Sequence, residues 1–364
     1  MHHPPPTMKR SNGLEASNGM AWAEPQFSIS DVNWAGAVLR SSQFDVLDLS
    51  RALTIINNWR AAHAYPLNTF QITLRNRARK CQAEPPLVSQ RLKRLVSIDA
   101  KLRRYRTMNL AQIQDIAGCR TVMRSAAGAL KLAEVYRNGD FDHTLQTDKD
   151  YIAAPKPDGY RGVHLVYRYG GHDQTACYKG LRVEVQLRSR LQHAWATAVE
   201  TAGTFTGHAL KSNQGSEEWL RFFTLMGTAI ARIEKQPDVP GTPRSQKDLR
   251  GELTEIERRL GVVQVLRTYR TTLGDVSRAR DAKYFLIQLD PLDQVVRVET
   301  FAASQSQDAS ELYTRLEAEL PEGSMRQVVL VSVESIQALK RAYPNYFLDT
   351  DVFVGVVKRV LSGA

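Results

Sequence analysis

Two stretches of strict alternation, close together in the chain, constrain its fold more than any other feature. In Val183-Glu-Val-Gln-Leu-Arg188 the apolar Val183, Val185 and Leu187 fall on one side of an extended backbone, and Glu184, Gln186 and Arg188 on the other. Upstream, Val163, Leu165 and Tyr167 alternate with His164, Val166 and Arg168, so a second strand is predicted beside the first. A sheet built this way packs one face into a core and presents a carboxylate, an amide and a guanidinium on the other. The second strand is entered through the turn-rich loop Pro155-Lys-Pro-Asp-Gly-Tyr-Arg-Gly162. Its Lys156, Tyr160 and Arg161 bring two cations and a ring, a chemistry suited to a nucleotide.

The flanking sequence supplies helices and further strands. Apolar residues at helical spacing run from Asp31 to Arg60, and Pro66 opens another helix reaching about Lys80 with Phe70 and Leu74 inward. Leu87 to Leu95 reads as a strand with Arg91 and Lys93 on one face, and Ser97 as the N-cap of a short helix holding Lys101. Ile113 to Met123 reads as a strand carrying Asp115 and Arg120, Ala126 to Arg137 as a helix, and Phe141 to Thr147 as a strand. A helix follows Arg188, and two more, Ser216–Lys235 and Ser245–Tyr269, are separated by the Pro-rich linker 236–243. From about Ala282 the pattern changes to strands at Tyr284–Leu289, Val295–Phe301 and Gln327–Val333, a helix at Ala309–Leu320 and helical pieces up to Leu361. The predicted class is α/β (α+β). The division is a disordered tail over 1–25, a main domain over 26–236, a linker and connecting helix over 237–281, and a small α+β unit with its own core over 282–364.

Charge points to a polyanionic partner, with a net of +11 at pH 7. It is unevenly spread, since residues 281–364 hold 8 Lys and Arg against 12 Asp and Glu. The remainder is therefore strongly basic. Cys81, Cys119 and Cys177 are scattered, and are expected as buried thiols outside any zinc site or disulfide frame. No apolar run approaches the roughly 20 residues of a membrane span. The Met-His-His-Pro-Pro-Pro start has no apolar signal core, so a cytoplasmic protein is expected. A monomer is expected as well.

Asp115 and Glu184 are the candidate acids, with Arg91, Lys93, Lys101 and Arg120 as the cations around them. Mg²⁺ is often held by one or two carboxylates while a nucleotide supplies further oxygens, and four cations beside two acids match a nucleoside triphosphate with its metal.

These residues fall in motifs that resemble the synthetase domain of the RelA/SpoT family. The matching stretches are Arg91-Leu-Lys-Arg-Leu-Val-Ser-Ile-Asp-Ala-Lys101, Ile113-Gln-Asp-Ile-Ala-Gly-Cys-Arg120, Lys156-Pro-Asp-Gly-Tyr-Arg-Gly-Val-His164 and Glu184-Val-Gln-Leu-Arg188. The helix Gln192-His-Ala-Trp-Ala-Thr-Ala-Val-Glu200 and the segment Asn58-Trp-Arg-Ala-Ala-His-Ala-Tyr-Pro-Leu67 extend the likeness, which is to the small branch of the family. The resemblance implies a nucleotidyltransferase-like fold, a mixed sheet with flanking helices, and transfer of the β,γ-pyrophosphate of ATP to a 3′-hydroxyl. By position it implies that Arg91 and Arg120 flank the adenine, that Lys93 and Lys101 take the phosphates, and that Asp115 and Glu184 hold Mg²⁺. Glu184 would also orient or deprotonate the attacking hydroxyl. Tyr160 would stack on the acceptor base, with Lys156, Arg161, His164, Gln186 and Arg188 around its ribose and phosphates.

Two positions depart from the family loop: Asp158 stands where Asn is usual, and Gly162 where Ser is usual. Both put GDP or GTP as acceptor in question. The last domain is similar to the pseudo-zinc-finger of fused toxin–antitoxin synthetases of the CapRel type. That likeness implies pyrophosphorylation of the 3′-CCA end of tRNA, inhibition in cis, and release by a phage capsid protein as an anti-phage defence. Tyr343, Tyr346 and Phe347 are the aromatic residues expected to occupy the adenine site. An alarmone synthetase making (p)ppGpp or its adenosine analogue from free nucleotides is the alternative.

Overall fold

The structure is a computed structural model that describes residues 22–41, 43, 45–84, 86–139, 141–206, 217–267, 272–273, 282–290, 295–321, 326–333, 338–339 and 350–363. Tyr343, Tyr346, Phe347 and most of the expected N-terminal tail lie outside them.

Three helices lead, α1 (Ile29–Arg40), α2 (Val46–Ala62) and α3 (Ala64–Cys81), followed by β1 (Leu87–Leu92) and α4 (Leu95–Arg104). The central run is β2 (Ala117–Met123), α5 (Ala126–Arg137), β3 (Thr144–Asp150), β4 (Val163–Arg168), β5 (Arg182–Ser189), α6 (Arg190–Thr206) and α7 (Glu217–Ile233). Then come α8 (Gln246–Leu260), α9 (Val262–Arg267), β6 (Thr272–Leu273), β7 (Ala282–Asp290), β8 (Val295–Ala302), α10 (Ser306–Ala318), β9 (Gln327–Ser332) and α11 (Asp351–Ser362). The strands form one mixed sheet in the order β3-β4-β5-β2-β1-β9-β7-β8-β6. The β2–β5 and β6–β8 pairs are parallel and the others antiparallel.

Alternation decides which face is core. Ala117, Cys119 and Met123 of β2, Val183, Val185 and Leu187 of β5, and Val163, Leu165 and Tyr167 of β4 are all buried, together with Phe70 and Leu74 of α3 and Leu132 and Tyr136 of α5. The opposite face is left to the polar members of the same strands. Fully burying side chains such as Phe70 or Leu74 contributes about 2–3 kcal/mol each, enough to make the register of every central strand strongly specified.

Several boundaries differ from the sequence reading. The strand expected to reach Leu95 ends at Leu92, because Arg94 adopts an extended N-cap conformation and α4 starts at Leu95. Ser97 is therefore inside the helix and not its cap. Asp115 lies in the turn before β2 and not on the strand. The strand expected at 141–147 runs instead from Thr144 to Asp150. The long helix from Ser245 is divided at Gly261, whose positive φ of 59° closes α8 with a left-handed cap. Cys119 is buried as expected, but Cys177 is exposed.

The change of pattern at Ala282 does not interrupt the sheet. β9 pairs with β1 at Gln90 and Ser332, so the last strands extend the central sheet edge to edge. Helix α11 packs into a second core with α6, α7 and α8. There Phe353, Val357 and Val360 meet Trp219, Phe223 and Leu249, and the rings of Phe223 and Phe353 are 5.8 Å apart.

Candidate active site

Register brings the sequence candidates onto one face. Arg91 of β1 lies opposite Gly118 of β2, which in turn lies beside Glu184 of β5. One step along, Arg120 sits beside Gln186, and Gln186 opposite His164 of β4. Paired residues share a face, so Arg91, Arg120, Glu184, Gln186, Arg188 and His164 all project opposite the core. Gly118 leaves the middle of this surface open: a Cβ built there would come to 4.0 Å from a Glu184 carboxylate oxygen.

Asp115 closes one end. Its two carboxylate oxygens each accept from an ammonium at 2.8 Å, one from Lys93 just past β1 and one from Lys101 on α4. Burial pushes the Asp115 carboxyl up, but the two lysines outweigh it and hold the group well below the usual carboxylate range. Burial likewise lowers the Lys93 pKa; Asp115 opposes that fall, and the charges of Lys101 and Arg91 add to it. Lys93 thus feels two further cations beside the acid it pairs with.

Glu184 belongs to a closed chain of hydrogen bonds. His164 Nδ1 meets one of its oxygens at 2.8 Å, and the Gln186 amide donates to the other at 2.6 Å. On the far side of the imidazole, Nε2 is 2.5 Å from the Tyr160 hydroxyl, to which Arg188 donates at 2.8 Å. Arg188 also donates to Gln186 Oε1 at 3.2 Å. The imidazole thus bridges the Glu184 carboxylate and the Tyr160 hydroxyl through its two ring nitrogens. Burial and the Asp115 charge act to raise the Glu184 pKa; His164 and Gln186 outweigh them, so Glu184 is held below its ordinary value. Tyr160 is pushed up, first by burial and then by Glu184, and stays protonated at neutral pH.

Two expectations for the loop require correction. Tyr160 is 9% exposed, and its ring is met edge-on by Tyr151, His164 and Trp195, so it offers no open stacking platform. Arg161 is 2% exposed and donates to the carbonyls of Ile152 and Pro237, so it is a strut tying the loop to the segment after α7. Lys156 does face the site side, its ammonium 4.5 Å from the Tyr151 ring centre and 4.9 Å from that of Tyr160. Tyr151 was not anticipated, since nothing in its spacing sets it apart from a turn residue. The two departures also have local causes. Asp158 accepts the Tyr160 amide at 2.9 Å, a turn-closing bond that Asn makes equally well. Gly162 has φ of 149°, where a side chain would be strained and its Cβ would lie 3.2 Å from Arg188.

The donor set suits a magnesium ion that arrives with a nucleotide. Asp115 and Glu184 are both held ionised and offer hard oxygens. Among the described residues no group of three or more His, Cys, Asp or Glu could hold a metal by itself.

Residues 90–205 match the family described as "Region found in RelA / SpoT proteins". The chain is 34% identical over 113 residues to GTP pyrophosphokinase YjbM of Bacillus subtilis, covering 30% of this chain and 52% of the relative. It is 31% identical over 85 residues to GTP pyrophosphokinase YwaC of the same organism, covering 23% and 40%. The chain thus spans about half of the first of these relatives and less of the second. Among solved structures it is similar to small alarmone synthetase 1 from Bacillus subtilis bound to its product pppGpp. That match has 26% identity and a TM-score of 0.38, and covers 46% of this chain and 86% of that one. Over 90–205 the chain therefore carries a region found in RelA/SpoT proteins, and that region contains every residue of the polar face. Among the described residues, no helix is long and apolar enough to cross a membrane.

Proposed function

We propose that the chain is an ATP pyrophosphokinase that transfers the β,γ-pyrophosphate of ATP to a 3′-hydroxyl, with the 3′-CCA end of tRNA as acceptor. The observation that carries this reading is a strand face bearing Arg91, Arg120 and Glu184 in register, with Asp115 held between Lys93 and Lys101 in the turn that leads into the same strand β2.

In this reading Lys93 and Lys101 leave Asp115 for the triphosphate, and Arg91 and Arg120 hold the adenine. Asp115 and Glu184 would hold Mg²⁺, which supplies charge neutralisation at the phosphates when bound. The acceptor oxygen bonds to the β-phosphorus as the bond from the bridging oxygen to that phosphorus breaks, and AMP leaves. Glu184, ionised and fixed by His164 and Gln186, accepts the hydroxyl proton. His164 and Tyr160 hold the carboxylate in place, and Lys156, Gln186 and Arg188 supply positive charge and hydrogen bonds to the acceptor.

The excess of basic residues outside 281–364 supports a tRNA partner, because phosphate contacts dominate such binding. The acidic last segment supports inhibition in cis through Tyr343, Tyr346 and Phe347, with a phage capsid protein as the releasing trigger and anti-phage defence as the role. The described residues flanking those aromatics are informative. Leu339 is fully buried in a cluster with Phe285, Val329 and Val331, against which Leu87 of β1 packs. Thr350 donates to the Leu266 carbonyl at 2.9 Å beside α11. The names of the two curated relatives, both GTP pyrophosphokinases, favour a second reading in which free GDP, GTP or ADP is the acceptor and the product an alarmone.

One assay separates the readings: γ-labelled ATP offered with bulk tRNA, GDP, GTP or ADP. The protein should be the full chain with Tyr346→Ala, because truncation at 281 would uncover the β1 edge and the core that α11 completes. Label on tRNA is expected; label on guanosine nucleotides alone would establish the alarmone reading, and no transfer to any acceptor would refute both.

A further inference from the structure

Helix α4 carries Lys101 and begins two residues after Lys93, so its first turn fixes the separation of the two lysines. Its own N-cap residue, Arg94, makes no side-chain cap hydrogen bond. The Leu95 amide donates instead, at 2.7 Å, to Glu317 Oε1 of α10, 222 residues further along the chain. The other Glu317 oxygen accepts from Arg60 of α2 at 3.1 Å, and Tyr313 donates to Glu317 at 2.8 Å. Arg60 also donates to the Tyr313 hydroxyl at 2.9 Å and, through Nε, to the Lys93 carbonyl at 3.0 Å. Both ends of the link between β1 and α4 are therefore held. The Lys93 carbonyl is gripped by Arg60 and the Leu95 amide by Glu317, with the two side chains only 5% and 3% exposed.

A carboxylate at the first amide of a helix satisfies an orphan donor and meets the positive end of the helix dipole. A buried ion pair whose only task was to fasten α10 to α2 would not need to grip backbone atoms on either side of the hinge. We propose that Glu317 is a positioning residue for the donor site. With Arg60 and Tyr313 it caps α4 from the C-terminal segment and sets where Lys93 and Lys101 stand. The role rests on the assignment of those lysines to the ATP phosphates. It makes the C-terminal segment a working part of the donor half-site, separate from any part it plays in inhibition.

The test uses the full chain and amide hydrogen exchange of two peptides, 93–104 over α4 and 126–137 over α5. Glu317→Ala should speed exchange in 93–104 by about tenfold or more, the worth of a hydrogen bond to a charged group, and Glu317→Gln, which keeps an acceptor, by less. Because Glu317→Ala strands the buried Arg60, the paired variant Arg60→Met/Glu317→Leu removes both grips without leaving a lone charge. It should loosen 93–104 while 126–137 stays protected. Unchanged protection of 93–104 in the folded paired variant would overturn the proposal, as would equal loosening of both peptides. With Tyr346→Ala in both chains, binding of a non-hydrolysable ATP analogue should weaken by a similar factor in the paired variant. A loosened 93–104 with undiminished analogue affinity would leave the cap standing and refute the donor-site assignment, and the positioning role with it.

Discussion

Gly227, in the middle of α7, lies against the acceptor loop, and replacing it with Ala tests how that loop is held. A Cβ there would sit 2.8 Å from both the Cα and the carbonyl oxygen of Gly159, and 3.2 Å from its carbonyl carbon. All three are backbone atoms, so no side chain can swing aside. The helix cannot retreat either, since Phe222, Phe223, Met226 and Ile230 are buried around the same turns. Removing a mid-helix glycine is worth about 1 kcal/mol, whereas overpacking a filled interior costs about 1–3 kcal/mol. The net expectation is a loss of about 0–2 kcal/mol. Gly251 in α8 supplies the control, because a Cβ there meets nothing within 4 Å. Gly251→Ala should gain the full helical increment of about 1 kcal/mol. Urea unfolding of both variants should therefore give midpoints that move in opposite directions, or differ by the equivalent of about 1–3 kcal/mol, at unchanged m. In the transfer assay Gly227→Ala should raise the acceptor KM and leave donor affinity nearly unaltered, because the displaced backbone belongs to the loop that carries Lys156 and Tyr160. Gly227→Ala stabilised as much as Gly251→Ala would refute the close packing, and equal loss of donor and acceptor binding would refute the assignment of the loop.

Glu184→Gln should reduce transfer by about 10²–10³-fold with folding retained, as read from initial rates beside a thermal melt; an undiminished rate would remove Glu184 from the chemistry. Tyr346→Ala should make the full chain active, and toxic on expression, without any trigger, and normal growth would remove that residue from inhibition. His63 is 1% exposed with Nδ1 2.7 Å from the Trp59 carbonyl, and burial lowers its pKa from 6.5 to about 4, with Arg182 adding to the fall and the Trp59 contact opposing it. The unfolded chain therefore binds an extra proton between those values. The stability His63 contributes is complete above pH 6.5 and declines by on the order of 3 kcal/mol as pH falls towards 4. Urea midpoints from pH 7.5 to 4.5 should show that slope, and His63→Gln should flatten it; an identical slope in the variant would contradict the burial argument.

The central strands were legible because burial of one face leaves a period of two in the residues. β4 and β5 fall where Val163–Arg168 and Val183–Arg188 alternate, and α5 spans Ala126 to Arg137 as its apolar spacing predicts. What was hidden depends on partners distant in sequence. No Gly or Pro after Leu92 marks the end of the strand or the turn at Arg94 that sends Lys101 towards Asp115. Arg161 sits beside Tyr160 in a loop rich in site residues, yet its acceptors are carbonyls at Ile152 and Pro237. The β1–β9 junction is made through the backbone and leaves no side-chain signature in the sequence. Nothing in the sequence around Glu317 points to its partners, which are Arg60 and the Leu95 amide.

The most direct measurement is a crystal structure of the Tyr346→Ala chain with Mg²⁺ and a non-hydrolysable ATP analogue. The account predicts Lys93 and Lys101 released from Asp115 and within about 3 Å of phosphate oxygens, the adenine between Arg91 and Arg120, and Asp115 and Glu184 on one metal ion. A nucleotide bound elsewhere, or a metal reached by neither carboxylate, would contradict it.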